Sequence, residues 1–206
     1  MTSSKQDRRV IKTKKEIRQA FTTLLEEKSF DAITVQDLTE RANINRGTFY
    51  LHYQDKYDLL EQCENEILEQ LREIGKNLSV SDLRSLLKEE MYFPLFVRFF
   101  ECFQENALFM RVILGPNGDP SFHGKMKQVM LDNLWSHFIS KMDTSKFAIP
   151  IDILTTYVSS AHLGVIQYWL NEGMKQSPKE ITTILIKIIT KGPIEAAGLP
   201  IHHDSK

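Results

Sequence analysis

Along most of this chain apolar residues recur every three or four positions with polar residues between them, and the pattern predicts helices throughout. From Val10 to Lys28, one apolar face carries Ile17, Phe21, Leu24 and Leu25, while Lys12, Lys14, Lys15 and Arg18 fall off it. Residues 1–9 are polar and are expected to form a mobile arm. Ser29 to Ala32 makes a short connection, with Phe30 and Ile33 plugging a small core. A helix then opens at Thr34, whose hydroxyl can cap the first turn and which has Asp37 at the capping-box spacing. Val35, Leu38 and Ala42 mark its inner face, and the polar Asn43-Ile44-Asn45 ends it after about two turns. Asn45 caps the next helix, which carries Phe49 and Tyr53 inward at i and i+4. A longer helix follows from Asp55, with Leu60, Cys63, Ile67, Leu71 and Ile74 on one stripe and Gly75-Lys76-Asn77 at its end.

Beyond it the reading is coarser. Ser79, with Asp82 three residues on, suits the cap of a short helix, and Pro94 either kinks a longer helix or begins a new one. The turn cluster Gly115 to Pro120 is followed by helices expected over Pro120–Met142, Pro150–Asn171 and Pro178–Lys191. The fold class expected is all-α: an N-terminal three-helix domain (1–57) with a helix-turn-helix, and a larger helical domain (58–206), to which the family resemblance given below assigns ligand binding and dimerisation.

Two short helices joined by a tight turn, ahead of a long one, read as a helix-turn-helix that touches DNA. Arg46, Thr48, Tyr50 and His52 fall away from the inward residues and form a surface suited to phosphates and base edges. Thr48 is placed for base edges, Thr34, Tyr50, His52 and Lys56 for phosphates, and Arg46 for either. Asn45 caps the reading helix. Gly47, a poor helix former, lets the backbone approach a partner closely. Lys56, with free N–H groups at the start of the next helix, stands where a phosphate could sit.

Charge sharpens this reading. The 206 residues carry a net charge of −1, which by itself argues against nucleic acid, yet residues 1–18 hold seven Lys and Arg against two Asp and Glu. Such asymmetry suits a chain with one end at phosphates, although a solvated arm would look the same. At 42% hydrophobic and 26% charged residues the composition is that of a soluble globular protein able to bury a full core. Cys63 and Cys102 sit among apolar residues, as reduced thiols of a cytoplasmic protein would. No secretory leader or membrane span is expected. The six histidines have no partners at metal-ligand spacing, and no G-x-S-x-G, H-E-x-x-H, P-loop or G-x-G-x-x-G occurs, so neither a metal, a cofactor nor an enzymatic activity is expected.

At TVQDLTERANINRGTFYLHYQDKYDLL, together with the amphipathic helix before it, the chain resembles the tetracycline-repressor (TetR) family of bacterial transcription regulators. The resemblance rests on a small polar residue followed by Arg46, Gly47, Thr48, an apolar residue, Tyr50, His52, an aromatic and Lys56, and it covers residues 8 to 62. It implies a ligand-responsive regulator, most often a repressor, binding a near-palindromic operator of double-stranded DNA as a homodimer through its last two long helices. It also implies that the helix from Asp55 carries ligand occupancy to the DNA heads.

The run from Met91 to Phe103 is apolar on more than one face, as a plain core helix or the wall of an apolar pocket would be. Phe96, Arg98, Phe99, Phe100 and Phe103, with Tyr168 from a later helix, are the candidate lining of a site for a small-molecule effector. A cation deep in that run needs a partner, either Glu101 or Glu105 or an anionic ligand. On the last two helices, stripes through Ile153, Leu154, Tyr157, Ala161, Val165, Tyr168 and Trp169 and through Ile181, Ile184, Leu185, Ile188 and Ile189 suit a dimer interface or packing within the chain. The stretch ENALFMRVILGPNGDPSF resembles a sub-branch of the family with partner-dependent activators. The alternative function is therefore a partner-dependent transcriptional co-activator of the same fold with no small-molecule inducer.

Overall fold

The computed structural model describes residues 3–77, 94–116, 118–137, 139–143, 145 and 147–199, and among these residues it contains helices and no strand. The helices are α1 (Ser3–Glu27), α2 (Val35–Arg41), α3 (Arg46–Tyr50), α4 (Lys56–Lys76), α5 (Pro94–Glu105), α6 (Ala107–Ile113), α7 (Pro120–His137), α8 (Ile151–Asn171) and α9 (Pro178–Ala196), with 3-10 turns at Phe30–Ala32 and Ile139–Lys141. The chain forms two compact units. The first takes the chain up to Glu69 together with Leu108–His123, and the second takes Gln70–Ala107 with the chain from Gly124 onward. The sequence boundary at 57/58 falls in the first turn of α4, whereas packing changes hands at its residue 69, because buried Leu59, Leu60, Cys63, Ile67 and Leu68 hold most of that helix to the first unit.

Within the first unit, Ile17, Phe21 and Leu25 of α1, Ile33, Leu38 of α2, Phe49 of α3 and Leu59 of α4 are buried almost completely. Burial of that many large side chains, each worth roughly 1.5–3 kcal/mol, holds helices too short to persist alone. Ion pairs at the rim fix α1 against the reader: Lys28 to Asp37 at 2.7 Å and a two-pronged Arg41 to Glu27 contact at 2.8 Å. Helix α1 begins at Ser3, so residues 3–9 continue the helix instead of forming the loose arm expected from their polarity. Nothing in SSKQDRR breaks a helix, since it contains neither glycine nor proline.

In the second unit α5 packs against α9, and Phe100 meets Trp169 of α8 edge to face at 5.3 Å. Pro94 is the first residue of α5, which settles its role as a helix start. Helix α7 stops at His137, short of the expected Met142, and α9 runs past the expected Lys191 across a break at Gly192, whose φ of 69° lets the chain turn before Pro193. Trp169 donates its ring N–H to the Gln176 carbonyl at 2.8 Å, which ties the α8–α9 turn to the buried ring. The expected short helix capped at Ser79 lies outside the described residues.

Candidate nucleic-acid interface and cavity

The reader is built by local capping. Thr34 accepts the Asp37 N–H at 3.2 Å, while Asp37 accepts the Thr34 N–H at 2.7 Å, closing the capping box that starts α2. Hydrogen bonds from Lys28, first, and then from Thr34 hold the Asp37 carboxyl down at about 2. After α2, Asn43 adopts a left-handed φ of 52°, and the Ile44 N–H reaches the Thr39 carbonyl while the Asn43 N–H reaches that of Glu40. This pair of bonds is a Schellman ending, and it sets the sharp turn of the motif. Asn45 then accepts the Thr48 N–H at 2.7 Å and the Thr48 hydroxyl at 3.0 Å, opening α3. A Cβ on Gly47 would stand 3.3 Å from the Asn45 side-chain oxygen, so glycine leaves that cap undisturbed as well as leaving the backbone open to a partner.

Phe49 and Tyr53 point inward as expected, and the face they leave outward brings most of the candidate residues together. Arg46 lies along Tyr50, donating to its hydroxyl from Nη2 at 3.1 Å with the guanidinium 5.5 Å from the ring centre, and both side chains are exposed. Thr34, Asn45 and Gly47 are exposed, and Thr48 and His52 are half-buried. Burial, followed by the nearby Lys14 charge, lowers the His52 pKa, so the ring is neutral at physiological pH and offers hydrogen bonds rather than charge. Leu51 at the C-cap of α3 is 81% exposed on the same unit, an apolar residue that the sequence reading passed over. Its signal was available: it departs from the buried i, i+4 pair on either side of it.

Lys56 does not stand free for a phosphate. Its ammonium donates to the carbonyls of Phe30 at 3.1 Å, Asp31 at 2.9 Å and Ile33 at 2.9 Å, and it lies 4.8 Å from the Phe30 ring centre. An ammonium has three donors, and all three are spent on the loop that precedes α2. Lys56 therefore positions the reader by clamping that loop to the start of α4.

A cavity of about 100 Å³ lies in the second unit. Phe96, Phe99, Phe100 and Phe103 of α5 line it as expected, facing Leu71 of α4, Val129 and Met130 of α7, Ile166 of α8 and Leu185 of α9. Two expected members are absent from its wall. Arg98 is exposed and bonds Glu105 at 2.8 Å and Glu101 at 3.2 Å, because positions 98, 101 and 105 share the outer face of α5. Tyr168 is 64% exposed, because its neighbour Trp169 takes the inward position on α8. The cavity also has two polar wall residues that the sequence reading did not single out, Asn133 and His162. Asn133 could have been found as the one polar member of the stripe Met126, Val129, Met130, Asn133 at i, i+3, i+4 and i+7.

Among the described residues no group of His, Cys, Asp or Glu is placed to hold a metal ion, and no helix is long and apolar enough to cross a membrane. Burial pushes the thiols of Cys63 and Cys102 up to about 12 and about 11.

Residues 17–63 match the family described as bacterial regulatory proteins, tetR family, and residues 90–191 match the transcriptional regulator C-terminal region of TetR type. The chain is 25% identical over 181 residues to an uncharacterised HTH-type transcriptional regulator, YxbF, of Bacillus subtilis, covering 85% of this chain and 44% of that relative's length. Among solved structures, a TetR transcriptional regulator from Streptococcus agalactiae aligns with a TM-score of 0.62 at 24% identity, over 91% of this chain and 98% of that one. FadR of Bacillus subtilis, solved in complex with stearoyl-CoA, aligns with a TM-score of 0.56 at 14% identity, over 86% of this chain and 97% of its own.

Proposed function

The chain belongs to the tetR family of DNA-binding transcription regulators, and from that premise we propose that it is a ligand-responsive cytoplasmic repressor that binds a near-palindromic operator as a homodimer. The observation that carries this reading is the cavity wall. Leu71 lines the cavity near the end of α4, the helix whose first turns, from Lys56, pack beside the reader in the first unit. A ligand acts on DNA binding only by favouring one setting of such an element, and α4 is a single covalent element shared by both units. In the reader, Thr48 reads base edges, Thr34, Tyr50 and His52 meet phosphates, Arg46 meets either, and Asn45 and Gly47 shape the helix that presents them. Lys56 contributes by position.

The homodimer is supported by what α8 and α9 leave uncovered among the described residues. Ile153, Tyr157 and Tyr168 on α8, at 59%, 57% and 64% exposure, share one face with exposed Ala161 and Gly164. A Cβ at Gly164 would meet nothing within 4 Å, so packing within the chain does not require its smallness. Ile184 and Ile189 are also exposed on α9. A second copy covers such a face by pairing it with itself. The phenylalanine-rich wall supports an apolar effector.

Sequencing the DNA that the full-length protein retains from its own genome tests the proposal. Enrichment of one near-palindromic sequence, bound by two chains, is the expected result. Tight and specific binding of a single unrepeated half-site by a monomer overturns it.

A further inference from the structure

Among the described residues the cavity wall holds four phenylalanines and no ionised side chain, since Arg98 faces outward to its carboxylates. Its two polar members are differently occupied. Asn133 gives one Nδ2 hydrogen to the Leu71 carbonyl of α4 at 3.3 Å, and its carboxamide fills the place where a Cβ on Gly75 of α4 would lie. His162 donates a ring N–H to the Val158 carbonyl, which leaves the other nitrogen of the neutral ring as an acceptor. Burial lowers the pKa of this histidine, so the acceptor is available at neutral pH.

We propose that this cavity takes a small uncharged molecule, a single ring or short branched hydrocarbon bearing one hydrogen-bonding group, with Asn133 and His162 as its polar anchors. The proposal rests on the ligand-responsive reading above and narrows it. Size points to one ring and not a long acyl chain: about 100 Å³ is of the same order as the ~150 Å³ of a dry cavity that admits benzene, and far less than a long chain fills. Charge is disfavoured because an ion here would lose water and meet no counter-charge among the described lining residues. The anchor is set by Asn133, which ties the cavity to α4. An occupant that recruits the carboxamide loosens its bond to Leu71, and the Asn133 contact with Gly75 passes the change to the same helix.

Calorimetry on the full-length protein at pH 7.5, with toluene, benzyl alcohol and benzoate as probes, tests this. The three share a ring and differ in polarity and charge. Benzyl alcohol should bind, with benzoate at least about tenfold weaker. The preference for benzyl alcohol over toluene should fall by about fivefold or more in both Asn133→Leu and His162→Phe, with toluene affinity kept, which separates loss of an anchor from loss of the fold. Gly75→Ala, whose added Cβ meets the carboxamide end of Asn133 first, should give the same loss of preference in a folded protein. Benzoate binding as tightly as benzyl alcohol, no neutral probe binding at millimolar concentration, or a preference unchanged in all three variants overturns the assignment. Retention of operator DNA, measured separately, would stand through any of those results, so a failure here is distinct from a failure of the regulator reading.

Discussion

Lys56 separates two accounts of the reader, one in which it holds DNA and one in which it holds the protein. Its three hydrogen bonds, at 2.9, 2.9 and 3.1 Å, run to carbonyls 23 to 26 residues earlier in the chain. A hydrogen bond from a charged group contributes roughly 1.5–3 kcal/mol net, but these do not add in full. The site is half-buried, water can replace part of each bond, and the Phe30 carbonyl also accepts the Ile33 N–H at 3.1 Å. Lys56→Met, which keeps the apolar stem and removes the ammonium, should therefore cost the first unit about 2 kcal/mol, near the lower end of that range. Lys56→Arg should recover only part, because a planar fork cannot point three donors at three converging carbonyls. Urea unfolding followed by circular dichroism gives the stability change. The slope of log Kd for DNA against log salt gives the number of phosphates met, and it should stay unchanged in Lys56→Met once the folded fraction is corrected for. An unchanged urea midpoint with a salt slope reduced by about one would refute this reasoning and return Lys56 to a phosphate.

Further outcomes follow from the same geometry. Asp37, held at about 2 against an ordinary 3.8, should contribute stability that is full above about pH 4 and fades as pH falls towards 2, since its depressed pKa means that the unfolded chain takes up the proton first. Asp37→Asn should flatten that part of the acid-unfolding curve and cost about 1 kcal/mol at pH 7, read from urea midpoints across pH. Arg98→Ala should leave the melting temperature within a degree or two and the effector response intact, because exposed ion pairs contribute little. Tyr157→Asp combined with Tyr168→Asp should give a folded monomer by light scattering, with weakened operator binding. A dimer of unchanged affinity would exclude that face of α8.

What could be read in the sequence was whatever is decided within a turn or two of helix. The caps at Thr34 and Asn45, the inward Phe49 and Tyr53 and the phenylalanine wall of α5 all follow from spacing over three to seven residues. Lys56 could not be placed that way, since its carbonyl partners lie across a loop and belong to residues whose side chains give no sign of them. Arg98 has the carboxylate partners expected of it, Glu101 and Glu105, but its depth was misjudged for a different reason. An aromatic-rich run suggested burial on all sides, but the i, i+3, i+7 relation of Arg98, Glu101 and Glu105 already marked an outer polar face. The same test of angular position would have moved Tyr168 outward with Tyr157 and brought Asn133 inward with Val129. Residues 3–9 were read as loose from polarity alone, and polarity does not break a helix.

The claim that the cavity and the reader are coupled is tested most directly by titrating operator DNA against the full-length protein, alone and saturated with a compound shown by calorimetry to occupy the cavity, and then running the converse titration. Linkage requires the two affinities to change by one common factor, which this account expects to exceed about tenfold, each tenfold being about 1.4 kcal/mol. An operator affinity that is the same with the cavity empty and full would contradict it.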